Sequence, residues 1–145
     1  MSVPVPDNVV NMNKSFLLIN LVKFFKSVRK LMNKGDLLAL TTLSSTGADI
    51  LALWDKSKSV SPPHHINFFN PKSIVIFLKK NKFKILSIST PGELDLNILE
   101  NEKKRIKDRF WKTFVHLASE ADKVKMQNLI TSINFSSHMM LVCQK

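Results

Sequence analysis

The sequence predicts an α/β fold. Three short apolar runs, at residues 37–42, 82–90 and 136–145, have the composition and alternation of β-strands. The segments between them repeat apolar residues every three or four positions, which is the period of a helix with one buried side. Strands that alternate with helices along the chain favour a sheet covered by helices. With 145 residues, 44% of them hydrophobic, the chain is long enough for one domain with a core.

Residues 1–14 are predicted to form an extended lead, and the first helix is predicted to follow it. Ser15 is the expected N-cap and Gly35 the expected residue just after the helix. The predicted apolar stripe consists of Leu17, Leu21, Phe24, Val28 and Leu31. A basic amphipathic helix of this kind can lie on a membrane, but the strand that follows it favours packing on a sheet.

The central segments each carry a local structural signal. The run LLALTT, Leu37 to Thr42, is nearly unbroken in its apolar character, which is typical of a strand buried on both faces of a sheet. ADILALWD, residues 48–55, predicts a short helix. Asn70 is the predicted N-cap of a further helix, with Pro71 at its first position.

The last third of the chain is predicted to be mostly helical before it ends on a strand. Residues 93–118 are expected to form one or two helices. Ser119, with Asp122 three residues later, resembles a capping box and predicts a third helix that ends near Ile130. The strand at 136–145 closes the pattern.

The formal net charge of +11 has two interpretations. A basic surface attracts nucleic acid and other acidic partners. Alternatively, the lysines lie on solvated faces, and the scarcity of arginine and of aromatic residues among the basic residues favours this second interpretation. Residues 56–92 contain seven lysines and no acid. An anionic acceptor or nucleic acid could use them, but a solvated face is favoured, because these lysines flank apolar positions of the predicted helix and strand.

Several classes of protein are disfavoured by composition. The single cysteine, Cys143, excludes an internal disulfide framework and a Cys-based zinc site, and it fits a reducing, cytoplasmic location. His64 and His65 are adjacent and no HxH or HExxH pattern occurs, so we expect no metal site. No secretory signal is expected at the N-terminus. The apolar stretch at residues 15–28 contains Asn20 and two lysines, so we expect no transmembrane span.

The order of the segments resembles that of class I S-adenosylmethionine-dependent methyltransferases. FFKSVRKLMNKGD followed by LLALTT resembles the segment that enters the fifth strand of this family. PPHHINFFNPKSIVIFLKKNKFKILSIST resembles the next unit: a Pro-rich His-Ile-Asn-aromatic-Phe loop, a helix and the sixth strand. SSHMMLVCQK resembles the seventh strand. The match covers residues 24–90 and the last ten residues, and Asp36 departs from the second turn glycine that is usual in the family.

The resemblance implies a Rossmann-like sheet represented by its carboxyl-terminal half. In the family, the strand order ends five, seven, six, with the seventh strand antiparallel between its neighbours. In the family, a Gly-rich turn after the first strand and an acid after the second strand hold the cofactor. Neither has a counterpart here: the three glycines, Gly35, Gly47 and Gly92, are far apart, and the acids of the chain are few. S-adenosylmethionine is therefore implied by resemblance alone, and no cofactor-binding residue is identifiable.

The resemblance also implies a methyl-acceptor pocket beside the His-Ile-Asn-aromatic loop. His65, Asn67 and Phe68 match that loop, and Thr41 lies near the end of the strand that precedes it. His65 is a weak candidate for a general base; alternatively it hydrogen-bonds the loop while the phenylalanines fill the core.

The expected function is that of a truncated methyltransferase: the acceptor-side half, inactive alone and completed by a complementary chain. We expect self-association through an exposed sheet edge, at the place where the family's fourth strand would pair. The alternatives are a non-catalytic basic module that binds nucleic acid or an acidic partner, and a subunit that completes another protein's sheet.

Overall fold

A computed structural model describes residues 20–60 and 67–145 of the chain and the backbone of residues 9–12. Within these residues the strands are β1 (Val9–Met12), β2 (Leu37–Leu43), β3 (Lys84–Ser89) and β4 (His138–Gln144). The helices are α1 (Leu21–Leu31), α2 (Ala48–Leu53), α3 (Pro71–Lys80), α4 (Asp95–Asn101), α5 (Arg109–Leu117) and α6 (Glu120–Ser132). The α/β class predicted from the sequence is confirmed.

The strands form one sheet in the order β1-β2-β4-β3. The last strand of the chain, β4, lies between β2 and β3 and is antiparallel to both, with Leu141 opposite Leu40 on one side and Ile88 on the other. The three strands predicted from the sequence are therefore neighbours in space.

The first strand corrects the predicted position of the free sheet edge. Val9–Met12 pairs in parallel with Leu37–Leu40 of β2, so this part of β2 is not the free edge that we expected. A four-residue run in a proline-rich segment carries little strand signal of its own, and it becomes a strand by pairing with β2.

Helix α1 begins later and ends earlier than its sequence pattern indicates. The side chain of Asn20 accepts the Lys23 N–H at 2.9 Å and caps the helix, whereas Ser15, the predicted cap, lies outside the described residues. The helix ends at Leu31, whose side chain is 87% exposed. Gly35 instead occupies the turn into β2 with a φ of 96°, a conformation that favours glycine.

The caps predicted for two later helices are confirmed. The Asn70 side chain accepts the Ser73 N–H at 2.8 Å, and the Ser73 hydroxyl accepts the Asn70 N–H at 2.9 Å. Ser119 accepts the Asp122 N–H at 3.2 Å at the start of α6. The predicted helical stretch at 93–118 forms two helices, α4 and α5.

The described residues divide into two regions with separate cores. The sheet half comprises residues 20–47, 67–90 and 138–145, and the helical lobe comprises residues 48–60 and 91–137. The fully buried core of the sheet half contains Phe25, Met32, Leu38, Leu40, Ile74, Leu78, Phe83, Met139, Leu141 and Cys143. The core of the helical lobe contains Ala48, Ala52, Leu53, Leu96, Leu99, Ile106, Val115 and Ile130.

Helices cover only one face of the sheet within the described residues. Helices α1 and α3 both contribute to the core that contains Leu38 and Leu40 of β2. The alternate side chains of β2 and β4 point to the opposite face, where Met140 is 41% exposed. We call this surface the open face; its residues are Ala39, Thr41, Met140 and Val142. Within the described residues, β2 is thus covered by helices on one face, and its residues on the other face are partly buried.

No helix among the described residues is long and apolar enough to cross a lipid bilayer.

Candidate functional site

Three segments meet at the carboxyl end of β2. Ser44 forms a parallel bridge with Phe69, and the Ser45 N–H donates to the Phe69 carbonyl at 2.8 Å. On the other side, the Ser44 N–H donates to the Ser137 carbonyl at 2.8 Å. The loop before α3 and the segment before β4 therefore lie beside the strand end, where α/β sheets bind ligands.

A cavity of about 480 Å³ opens at this end of the molecule. Its described lining consists of Thr46, Asn70, Pro71, Lys72, Ile133, Asn134 and Phe135. We call it the end cavity. Its volume is in the range of small-molecule sites, and its lining supplies one hydroxyl, two amides, one cation and an aromatic ring. It can hold a polar ligand, but it contains no carboxylate or imidazole among these residues to act as a base.

The structure does not gather the predicted acceptor-site residues around the end cavity. Thr41 lies on the open face, opposite Met140 in the strand register. Asn67 and Phe68 are half-buried in the loop before α3 and are not among the residues that line the end cavity. His65, the candidate base, lies outside the described residues. The site assignments therefore stay predictions.

Sequence reasoning missed most of the end cavity. Asn70 and Pro71 were identified as a helix start, which is the one local signal for this place. Thr46 and Asn134 are brought there by β2 and by the end of α6, and no spacing along the chain indicates that they meet.

Two buried carboxylates accept hydrogen bonds from the serines that precede β4. The Asp95 carboxylate accepts the Ser137 N–H at 2.7 Å and its hydroxyl at 2.5 Å, and it also accepts the Ser136 hydroxyl. Asp49 accepts the Ser57 hydroxyl at 2.9 Å, and it shares with Asp95 the single proton of the Ser137 hydroxyl. Asp49 and Asp95 are 1% and 2% exposed. We call this group the serine clasp; it joins α2 and α4 to the start of β4.

Glycines allow the close packing at the serine clasp. A Cβ atom on Gly47 would lie 2.5 Å from the Ser137 Cα, and one on Gly92 would lie 2.0 Å from the Ser136 Oγ. The space beside both glycines is thus filled by the chain itself. Glu93 is exposed while Asp95 is buried, so these two acids do not form a carboxylate pair.

The described residues do not fit S-adenosylmethionine by themselves. A cofactor of this type needs a glycine-rich backbone that it can approach closely. Gly47 and Gly92 are packed against serines, and Gly35 lies in the turn before β2, so none of the three forms such a cradle. In the described part of the chain, no group of three or more His, Cys, Asp or Glu side chains could hold a metal ion.

The one thiol is buried in the sheet. Cys143 is fully buried and its Sγ lies 3.6 Å from the Leu38 carbonyl oxygen. Burial raises the pKa of the Cys143 thiol from 9.0 to about 11. The thiol is therefore protonated at neutral pH and has a packing role.

Comparison with known proteins identifies the fold. No protein-family model and no curated protein matches the chain. Among solved structures, the chain is similar to phosphoethanolamine N-methyltransferase 2 from Haemonchus contortus in complex with phosphomonomethylethanolamine and S-adenosylhomocysteine. The TM-score is 0.53 at 19% identity, over 95% of this chain and 33% of that one. A second structure of that enzyme, in complex with S-adenosyl-L-methionine, gives a TM-score of 0.55 at 17% identity over the same shares.

This likeness defines a methyltransferase-like fold and no more than a fold. The chain spans about a third of the length of the enzyme that it matches. The resemblance to methyltransferases noted in the sequence is thus supported by the three-dimensional structure.

Proposed function

We propose that the chain is the acceptor-side half of a methyltransferase-type domain and works only when a complementary polypeptide supplies the cofactor-side half. The observation that carries this proposal is the sheet: β4 lies antiparallel between β2 and β3, while one face of the sheet lacks a cover of helices among the described residues.

The strand order supports a specific correspondence. We assign β2, β3 and β4 to the fifth, sixth and seventh strands of the family, as the sequence predicted. Within this assignment, β1, which is parallel to β2, would correspond to the fourth strand. The remaining three strands would carry the Gly-rich turn and the ribose-binding acid.

The open face is where the complementary half would add its layer. Among the described residues no helix covers this partly apolar face, and exposed apolar surface is a common site of contact between polypeptides. Thr41 and Met140 lie opposite each other on this face. A helix packed there would bury both side chains and would place the cofactor-side half next to the strand ends.

The chain's own contribution to the reaction would be positioning of the acceptor. Methyl transfer from a sulfonium depends strongly on the alignment of donor and acceptor. Asn67 and Phe68 lie directly before Phe69, which forms a bridge with Ser44, and before the cap of α3 at Asn70. Within the proposal these two residues and Thr41 border the acceptor, and His65 orients it.

Calorimetric titration with S-adenosylmethionine and S-adenosylhomocysteine tests the proposal. The chain alone is expected to give no binding heat at micromolar concentrations, because no described segment forms a cofactor cradle. Micromolar binding by the chain alone would overturn the assignment as a half-domain.

A labelling experiment tests the open face directly. At protein concentrations low enough to keep the chain monomeric, and in a Cys143→Ala background, the thiol of a Met140→Cys variant is expected to react rapidly with a maleimide reagent. A Leu141→Cys variant, whose position is fully buried on the helix-covered face, is the matched control and is expected to react slowly. Equal, slow labelling at both positions would show that the face is already covered.

A further inference from the structure

The cations of this chain are concentrated in one region. The sheet half contains eleven Lys and Arg residues and one acid, Asp36, whereas the helical lobe contains ten cations and nine acids. Nearly all of the net charge of +11 therefore belongs to the sheet half. This uneven distribution is not what scattered, solvated lysines would produce.

Six of these cations line a single cavity of about 380 Å³. It lies where the ends of α1 and α3 approach the end of β4. The cations are Lys26, Arg29, Lys30, Lys80, Lys82 and Lys145, and Asn81 completes the lining. We call it the basic cavity. Its side chains come from three segments that are distant in the sequence, so the fold brings them together.

The described structure provides little negative charge to balance the basic cavity. Among the described residues, the ion pairs within 4.0 Å lie in the helical lobe. Asp36 uses its carboxylate to accept the Asn33 N–H at 2.7 Å. The carboxyl ends of α1 and α3 each contribute about half a negative charge, which is far less than six positive charges.

Two cavity residues are held in defined positions. The Arg29 Nε donates to the Lys82 carbonyl at 3.2 Å, which leaves the terminal amino groups of the guanidinium for another acceptor. Lys82 has a φ of 65°. This left-handed conformation just after a helix normally belongs to glycine, so a lysine there costs stability. Strained residues of this kind cluster at ligand sites.

We propose that the basic cavity is a binding site for a compact oligophosphate, a ligand with two or more linked phosphate groups. Guanidinium and ammonium groups are the usual protein ligands of phosphate. A single phosphate carries about two negative charges, so a cavity lined by six cationic residues matches a ligand with several phosphates. The described lining contains no aromatic ring or carboxylate that would recognise a base or a sugar, so the phosphates themselves are recognised.

A pair of charge-matched variants tests this site. One variant combines Lys26→Gln, Lys30→Gln and Lys82→Gln in the basic cavity. The control combines Lys103→Gln, Lys104→Gln and Lys107→Gln, three exposed positions of the helical lobe. Both variants lose three positive charges, so any general attraction of anions falls equally in the two proteins.

The measurement is calorimetric titration of the full chain with tripolyphosphate, pyrophosphate and inorganic phosphate at low salt. Tripolyphosphate is expected to bind most tightly, and its Kd is expected to rise about tenfold or more in the cavity variant but less than about twofold in the control. An Arg29→Lys variant keeps the charge but loses the planar fork, and an intermediate loss is expected.

Three results would overturn the proposal: no binding of tripolyphosphate, equal weakening in both triple variants, or binding of an RNA oligonucleotide that tripolyphosphate does not displace. The third result would assign the surface to a nucleic-acid backbone instead.

Melting curves without ligand check that the variants fold. The cavity variant is expected to melt no lower than wild type, because repulsion between its cations is relieved. The result is independent of the titration with S-adenosylmethionine, so the two proposals fail separately.

Discussion

The sheet half and the helical lobe differ in how far acidic residues neutralise their positive charges. In the lobe, cations are neutralised locally: Lys123 bonds Glu120 at 2.7 Å and Glu100 at 2.9 Å, and these hydrogen bonds raise the pKa of its ammonium group. In the sheet half, eleven cations share one acid. Nearly all of the net charge of the chain thus belongs to one region, and the oligophosphate proposal is based on this uneven distribution.

The two regions also differ in how completely they are packed. The lobe buries its own polar groups in the serine clasp, where Asp49 and Asp95 meet hydroxyl donors. The core of the sheet half is apolar, but it occupies one side of the sheet and leaves Met140 on the open face. The sheet half therefore differs from the lobe in two surfaces, the open face and the basic cavity, on which the two proposals are based.

Substitution at the seam between the two regions should have the largest effect. Gly47→Ala is expected to lower the free energy of unfolding by about 3 kcal/mol, because the new Cβ would lie 2.5 Å from the backbone of Ser137. Gly35→Ala is the control: nothing lies within 4 Å of its Cβ, so only the strain of positive φ remains, about 1–2 kcal/mol. Urea unfolding of both variants measures the difference.

If Gly47→Ala cost no more than Gly35→Ala, the serine clasp would be loose. The lobe and the sheet half would then not be tied together through Ser137.

The buried thiol of the sheet half predicts an alkaline loss of stability. The pKa of Cys143 is raised to about 11 in the folded chain from 9.0, so the folded state holds this proton more tightly than the unfolded state does. The contribution is constant below pH 9 and is lost as the pH rises toward 11, by up to about 3 kcal/mol.

Urea unfolding of wild type and Cys143→Ala at pH 8, 9, 10 and 11 isolates the thiol, because the lysines titrate in both proteins. The stability difference between them should change with pH above 9. Parallel pH curves would mean that the thiol is solvated and that the core around β4 is open.

The open face should mediate self-association of the isolated chain. Met140→Asp places a charge on this face and is expected to weaken self-association about tenfold, which corresponds to about 1.4 kcal/mol. Leu117→Asp is the matched control, since Leu117 is 80% exposed in the helical lobe. Sedimentation over a wide concentration range measures both. A monomeric wild type would contradict the prediction, and an equal effect of the control would move the contact to the lobe.

Much of the fold was predictable because its signals are local. The caps at Asn70 and Ser119 and the apolar runs of β2, β3 and β4 need only neighbouring residues. β1 was not predictable as a member of the sheet, because a four-residue run in a proline-rich segment carries little strand signal until it pairs with β2 in the register Val9 to Leu37.

The functional surfaces were less predictable, because tertiary structure assembles them. The serine clasp joins Ser137 to Asp49 across 88 positions and to Asp95 across 42. The lysines of residues 56–92 were interpreted as a solvated face, since nothing local indicates that Lys80 and Lys82 meet the cations of α1 and Lys145 in one cavity.

The smallest predicted effect concerns two residues that have a positive φ and lie just after a helix, one in each region. Lys82 after α3 has a φ of 65° and Asn134 after α6 has a φ of 61°. Asparagine tolerates this conformation better than lysine does. Lys82→Gly is therefore expected to stabilise the chain by a few tenths of a kcal/mol up to about 1 kcal/mol, and Asn134→Gly by less. Thermal unfolding of both variants measures this difference.

Tripolyphosphate binding by Lys82→Gly decides what the strain at this position means. If Lys82→Gly stabilises the chain and also weakens tripolyphosphate binding, the lysine lowers the stability of the chain but provides an ammonium group for the ligand. A gain in stability with unchanged binding would remove Lys82 from the site and leave its strain without a functional reason.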